Sequence, residues 1–247
     1  MSGIPDVVRV LERDLRSLFG DRLKSLVAYG LKAHNLMTPE SHAAHDLDLR
    51  LVHTLVVVDA IRPEDLHACT SRVASWHHAG LATPLFLASN EFARSLDAFP
   101  LEFGAILADH VVVSGANPFE GLRVDAADLR RACEVAARSH LLHLREGYLE
   151  TRGRGDALAL LIVASAAPFS ALLQSLARLQ GFAARDPDAA GRYIEHALST
   201  GPGAVTDVVK LATVTEISSE EAIRIFPAYL DAVVRLAQYV DEWSAGQ

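Results

Sequence analysis

Apolar residues near the start of the chain fall at Ile4, Val7, Val8, Leu11, Leu15, Leu18 and Phe19, the three- and four-residue spacing of a helix with one buried face. Gly20 is placed to end that helix. Residues 25–29, SLVAY, then read as a buried strand running into Gly30. Residues 31–46, LKAHNLMTPESHAAHD, are polar and rich in turn formers, which predicts a loop. A second strand lies between Leu47 and Val58, and its β-branched end at residues 54–58 carries the strongest strand signal.

Pro63 suits the first turn of a helix, and residues 64–78 keep a helical period that Gly80 closes. Residues 81–87 read as a short apolar strand, with Ser89 as the N-cap of the next helix and Glu91 in its first turn. Pro100 opens another helical piece to Ala108, and residues 110–113, HVVV, form a last strand. From Val124 onward the pattern is helical throughout. One helix runs from Asp125 to about Glu150, a strongly apolar one from Asp156 to about Gln180, one ends near Thr200, and further helical stretches follow, with Pro227 expected to kink or divide the last. The chain therefore reads as α+β: a small mixed-sheet domain over residues 1–121, followed by an all-α helical bundle over residues 122–247.

Composition narrows the function classes. A formal net charge of −8 argues against non-specific binding to nucleic acid, which needs a basic face, but leaves room for a nucleotide or small molecule in a local pocket. Residues 157–167 form the longest apolar run, too short to span a bilayer, and the first fifteen residues contain acids and no signal-like apolar region. A cytoplasmic protein with no membrane partner is expected. Cys69 and Cys133 lie in helical segments and read as buried free thiols. No phosphate-binding glycine loop or nucleophile elbow occurs.

Candidate chemistry centres on Asp46 and Asp48. Residues i and i+2 project from one face of a strand, so two carboxylates at that spacing can share a metal site. The order of elements, the strand ending in Gly30 and the segment SLDAFPLEFGAILADHVVVSGANPFEGL at residues 95–122 resemble the nucleotidyltransferase superfamily, in particular the minimal and kanamycin nucleotidyltransferases and related bacterial proteins. The resemblance covers about residues 4–121. It implies that Asp46 and Asp48 hold Mg²⁺ and are the catalytic pair, and that Tyr29, Gly30 and His53 face the nucleotide. It also implies an acceptor hydroxyl on a small molecule or a protein, with two metals activating the attacking oxygen and stabilising the leaving pyrophosphate.

The sequence departs from that family at three points. Leu31 follows Gly30 where the family has a small hydroxyl residue, and residues 81–87 contain no Asp or Glu where a third carboxylate is usual. The second strand has two registers. Starting at Asp46, it would run about thirteen residues, beyond the common five or six. Over residues 53–58 its same-facing positions become His53 and Leu55, and the metal pair is gone; the spacing to Pro63 favours this register. The departures point to a degenerate member that binds a nucleotide or a partner. An active transferase is the alternative, and a homodimeric interaction protein using the helical half is a third.

Other clusters carry less. His34, His42 and His45 join Asp46, Asp48 and His53 in a loop without a fixed metal-ligand spacing. His77 and His78 suit a helix C-terminus. Arg138, His140 and His143, with Glu134 and Tyr148, are within helical reach of one another and are expected to line a cleft facing the α/β domain. The apolar helix over residues 157–179, bent by Pro168, forms either the centre of the bundle or a dimer seam, and its small residues interleaved with Leu favour the centre.

Overall fold

The computed structural model describes residues 6–30, 51–182, 184 and 186–242. Asp46 and Asp48, together with Leu31, His34, His42 and His45, lie outside the described residues. Two compact units divide at Asp125 and Ala126.

The first unit is built on a four-stranded sheet. Its elements are α1 (Asp6–Phe19), β1 (Leu23–Tyr29), β2 (His53–Val58), α2 (Pro63–His78), β3 (Leu85–Ala88), α3 (Ser89–Ala98), α4 (Pro100–Ala108) and β4 (His110–Gly115). The sheet order is β3-β2-β1-β4, with β1 antiparallel to both neighbours and β2 parallel to β3. The period of two in the strands separates two apolar faces. Leu26, Ala28, Val56 and Val58 pack with Val8, Leu11 and Leu15 of α1 and Trp76 of α2. On the opposite side Val27, Leu55 and Val57 pack with Phe92, Leu96, Phe103, Ile106 and Phe119. The apolar spacing of α1 is thereby explained: Val8, Leu11, Leu15 and Phe19 are all buried, and Gly20 at φ 53° turns the chain out of the helix.

Polar links fix how these pieces meet. The Trp76 indole donates to Asp14 at 2.9 Å, tying α2 to α1. Arg22, in the short turn before β1, holds Asp65 through two bonds of 2.7 and 2.8 Å, and the Arg62 amide donates to the same carboxylate at 3.0 Å. The chain leaves β4 at Gly115, whose φ is 81°; a Cβ there would run into the Lys24 carbonyl on β1.

Several elements differ from the sequence reading. The segment 81–87 is not one strand: Leu81 makes an isolated parallel bridge to Val52, and β3 starts only at Leu85, after Pro84, which has no amide hydrogen for a ladder. Ser89 is the first helical residue of α3 rather than its cap. Its hydroxyl donates to the Val58 carbonyl at 3.1 Å, while Glu91 accepts from the Ala88 amide at 3.0 Å.

The second unit is helical among its described residues: α5 (Ala126–Thr151), α6 (Gly155–Leu179), α7 (Pro187–Ala197), α8 (Thr206–Lys210) and α9 (Ser219–Glu242). Its core is α6, which buries Ile162, Phe169, Leu173, Leu176 and neighbours against α5, α7 and α9. Among the described residues α6 is the one helix long and apolar enough to cross a membrane, and 44% of its most apolar stretch is buried in this packing. Pro168 lies inside α6, and Pro227 lies inside α9 without dividing it. Asp186 caps α7 by accepting from the Ala189 amide at 2.6 Å. Cys69 and Cys133 are both buried free thiols.

Candidate functional site

The register of β1 with its neighbours sets three side chains abreast. Tyr29, the last residue of β1, stands opposite His53 on β2 and opposite His110 on β4. The Tyr29 and His53 rings lie 5.6 Å apart at 30°. The His110 Nδ1–H donates to the Leu107 carbonyl at 3.1 Å, and its ring rests against Phe119 at 4.8 Å. Gly30 follows at φ 70°, and its amide donates to the Asp109 carbonyl at 3.0 Å; a Cβ at this position would meet no described residue within 4 Å. Burial pushes the Tyr29 phenol above its ordinary value, so it stays neutral at physiological pH. This end of the sheet therefore groups Tyr29, His53 and His110 beside the Gly30 backbone.

One step into the sheet the chemistry changes. Leu85, Leu55, Val27 and Val112 stand abreast across all four strands, and Leu55 is fully buried. Beyond them Val57 is flanked by Leu87 and Ser25. β2 begins at His53, with Leu51 in a bend and Val52 in the isolated bridge, so its same-facing positions are His53, Leu55 and Val57. Among the described residues no three His, Cys, Asp or Glu side chains come close enough together to hold a metal ion. The described donors on this face do not fit Mg²⁺, which takes oxygen ligands.

The Arg and His residues of the second unit do not converge on one cleft. Arg138 reaches Asp241 on α9 at 2.7 Å and Glu134 at 3.6 Å. Tyr148 stacks on Phe226 with centroids 4.4 Å apart. Only His140 and His143 come together, on the wall of a cleft of about 430 Å³ between α5 and α6. His143 is mostly exposed and pairs with Glu146 at 3.3 Å. His140 is packed against Phe169, 5.2 Å between centroids, and its Nε2 lies 2.6 Å from the Tyr229 hydroxyl, which donates to Ser165 at 3.0 Å. Burial, and then the nearby His143, lowers the His140 pKa to about 4.

A second cleft, of about 420 Å³, opens where the first turns of α6 and α9 meet the loop at Thr215 and Glu216. Its Asp156 and Glu216 carboxylates lie beside the positive ends of two helices, so it has no net preference for either sign of ligand.

Sequence reasoning missed His110 and Tyr229. His110 gains its place only from the β1–β4 register, and Tyr229 sits on the apolar face of α9 like any core aromatic. Neither leaves a local spacing that would have marked it.

A sheet of this order carrying helices on both faces, followed by a helical unit, is a nucleotidyltransferase-like fold. The chain is similar to the spectinomycin adenyltransferase AAD(9) from Enterococcus faecialis, a structure solved with ATP and spectinomycin: the TM-score is 0.59 at 11% identity, over 95% of this chain and 99% of that one. At that identity the likeness is one of fold. No family model and no curated protein matches the chain.

Proposed function

We propose that this protein uses a nucleotidyltransferase fold to bind a nucleotide or a partner, with little or no nucleotidyl transfer. The observation that carries this reading is the apolar row Leu85, Leu55, Val27 and Val112. Metal-assisted transfer needs two cations held by oxygen ligands, one to activate the attacking oxygen and one to stabilise the leaving pyrophosphate. On β2 the positions that alternate onto one face are His53 and a fully buried Leu55, and Leu85 stands beside Leu55 on β3. Leucine there cannot bind a metal, and a carboxylate in its place would be desolvated. The neighbouring row of His53, Tyr29 and His110 is suited to stacking a planar base, and Gly30 lets a ligand approach the backbone.

The test is the melting temperature with ATP, GTP, CTP and UTP, each with and without Mg²⁺ or Mn²⁺, for the native chain and the Asp46→Asn, Asp48→Asn double variant. A ligand at a hundred times its Kd raises stability by about 2.7 kcal/mol, well within reach of such a measurement. The expected result is a nucleotide-dependent shift that needs no metal, survives in the double variant and is lost in His53→Ala. A metal-dependent shift abolished in the double variant would instead establish the transferase. No shift with any nucleotide would leave the partner as the ligand to be sought.

A further inference from the structure

We propose that the cleft between α5 and α6 binds a small uncharged molecule with an apolar ring-sized body and one hydrogen-bond donor, of which indole is a minimal form. The inference concerns the helical unit and stands independently of nucleotide binding at the sheet.

The argument starts from the direction of a hydrogen-bond chain. The Ser165 hydroxyl lies 2.9 Å from the Ile162 carbonyl, which can only accept, so Ser165 donates there. Tyr229 then donates to Ser165 at 3.0 Å, its own proton being spent. The short 2.6 Å contact between Tyr229 and His140 must therefore be donated by the His140 Nε2–H. That fixes the neutral imidazole as the Nε2–H tautomer and leaves Nδ1 as a bare acceptor. Among the described residues no hydrogen bond reaches Nδ1, on a ring packed against Phe169 that lines the cleft. Burial keeps this imidazole neutral throughout the physiological range.

The walls define the rest of the ligand. Leu144, Leu161 and Leu172 supply apolar surface, and Pro168, having no amide hydrogen, leaves the Ala164 carbonyl on the same wall without its helical donor. Among the described residues no Asp, Glu, Lys or Arg lines the cleft, and His143 is engaged with Glu146, so neither a cation nor an anion is matched. A volume of about 430 Å³ lies in the range of small-molecule sites. An acceptor in an apolar cleft selects for a donor, because a ligand that lacks one leaves the acceptor dry and unpaired.

The experiment uses the full chain, with indole and its isostere benzofuran, which has no N–H donor, followed by titration calorimetry and by the His140 ring nitrogens in NMR. The expected result is saturable indole binding that moves the Nδ1 resonance and is about tenfold tighter than benzofuran binding, the worth of one hydrogen bond. Ala164→Leu, which fills the cleft from an exposed helix position, abolishes binding while the protein stays folded. Ser165→Ala lets Tyr229 donate to His140 instead, turning Nδ1 into a donor, and erases the preference for indole. Equal binding of the two probes, undiminished binding in Ala164→Leu, or no saturable binding at all would each overturn the proposal.

Discussion

The Asp65 carboxylate receives both arms of the Arg22 guanidinium and the Arg62 amide, so one side chain pairs a charge on the approach to β1 and caps the N-terminus of α2. The hydrogen bond from Arg22 holds its pKa at about 2, below the usual 3.8. A carboxyl group that binds its proton more weakly when folded contributes stability above its unfolded pKa and loses it as pH falls through the folded one. Asp65→Asn is therefore expected to lower the urea midpoint at pH 7. The difference from the native chain should shrink from about pH 4 downward and vanish near pH 2. A difference that stays constant down to pH 2 would mean that Asp65 acts only through its neutral hydrogen bonds. At the same scale the imidazoles divide by surroundings: His143 is exposed and lies 3.3 Å from Glu146, while the pKa of His140, three residues away, is lowered by burial and then by His143.

Elements were legible where their pattern was local. The helix of residues 6–19, the β-branched end of β2 and the proline starts of α2 and α4 each follow from a spacing or a residue type that the structure uses as expected. What escaped the sequence depended on contacts between distant segments. Ser89 looks like a cap, yet its hydroxyl is drawn to Val58, thirty-one positions away. Pro227 was expected to kink or divide its helix, and α9 is not divided there; α9 packs on α5 and α6 along its length. The joint between α7 and α8 was also invisible. There Glu195 accepts from the Gly203, Val205 and Thr206 amides at 3.3, 2.9 and 3.0 Å and from the Thr206 hydroxyl at 3.2 Å. Burial pulls its pKa upward, and these bonds more than offset that, leaving it below the ordinary value. Glu195→Ala orphans all four donors and is expected to cost about 2 kcal/mol, with Glu195→Gln recovering part of it. Denaturant titration at pH 7 checks both, and the deficit of the alanine variant should narrow as pH falls toward the carboxylate range.

At the scale of the molecule the candidate site was half legible. Tyr29, Gly30 and His53 are placed together by β1 and β2, but the register that adds His110 and an apolar row beside them arises only once the strands pair. Arg138 and His140 were paired by helical reach, yet α9 separates them, drawing Arg138 to Asp241 and His140 to Tyr229. Charge belongs to the whole chain and needs no fold to be read. With 31 acidic against 23 basic residues, the net charge of −8 repels a polyanion at every distance the ionic atmosphere allows. Described basic groups such as Arg22, Lys24 and Arg138 are already matched to carboxylates. Binding of a duplex depends on releasing counterions from several phosphates at once, so its affinity falls steeply with salt. The expected outcome of titrating mixed-sequence DNA or RNA in 50 mM salt is no saturation up to about 10 μM protein, a range in which ordinary non-specific binders already show complexes. Saturation with a steep salt slope would reveal a basic surface that the net charge conceals. A shift with mononucleotides but none with duplex would support the proposed binding of a single nucleotide over that of a polyanion.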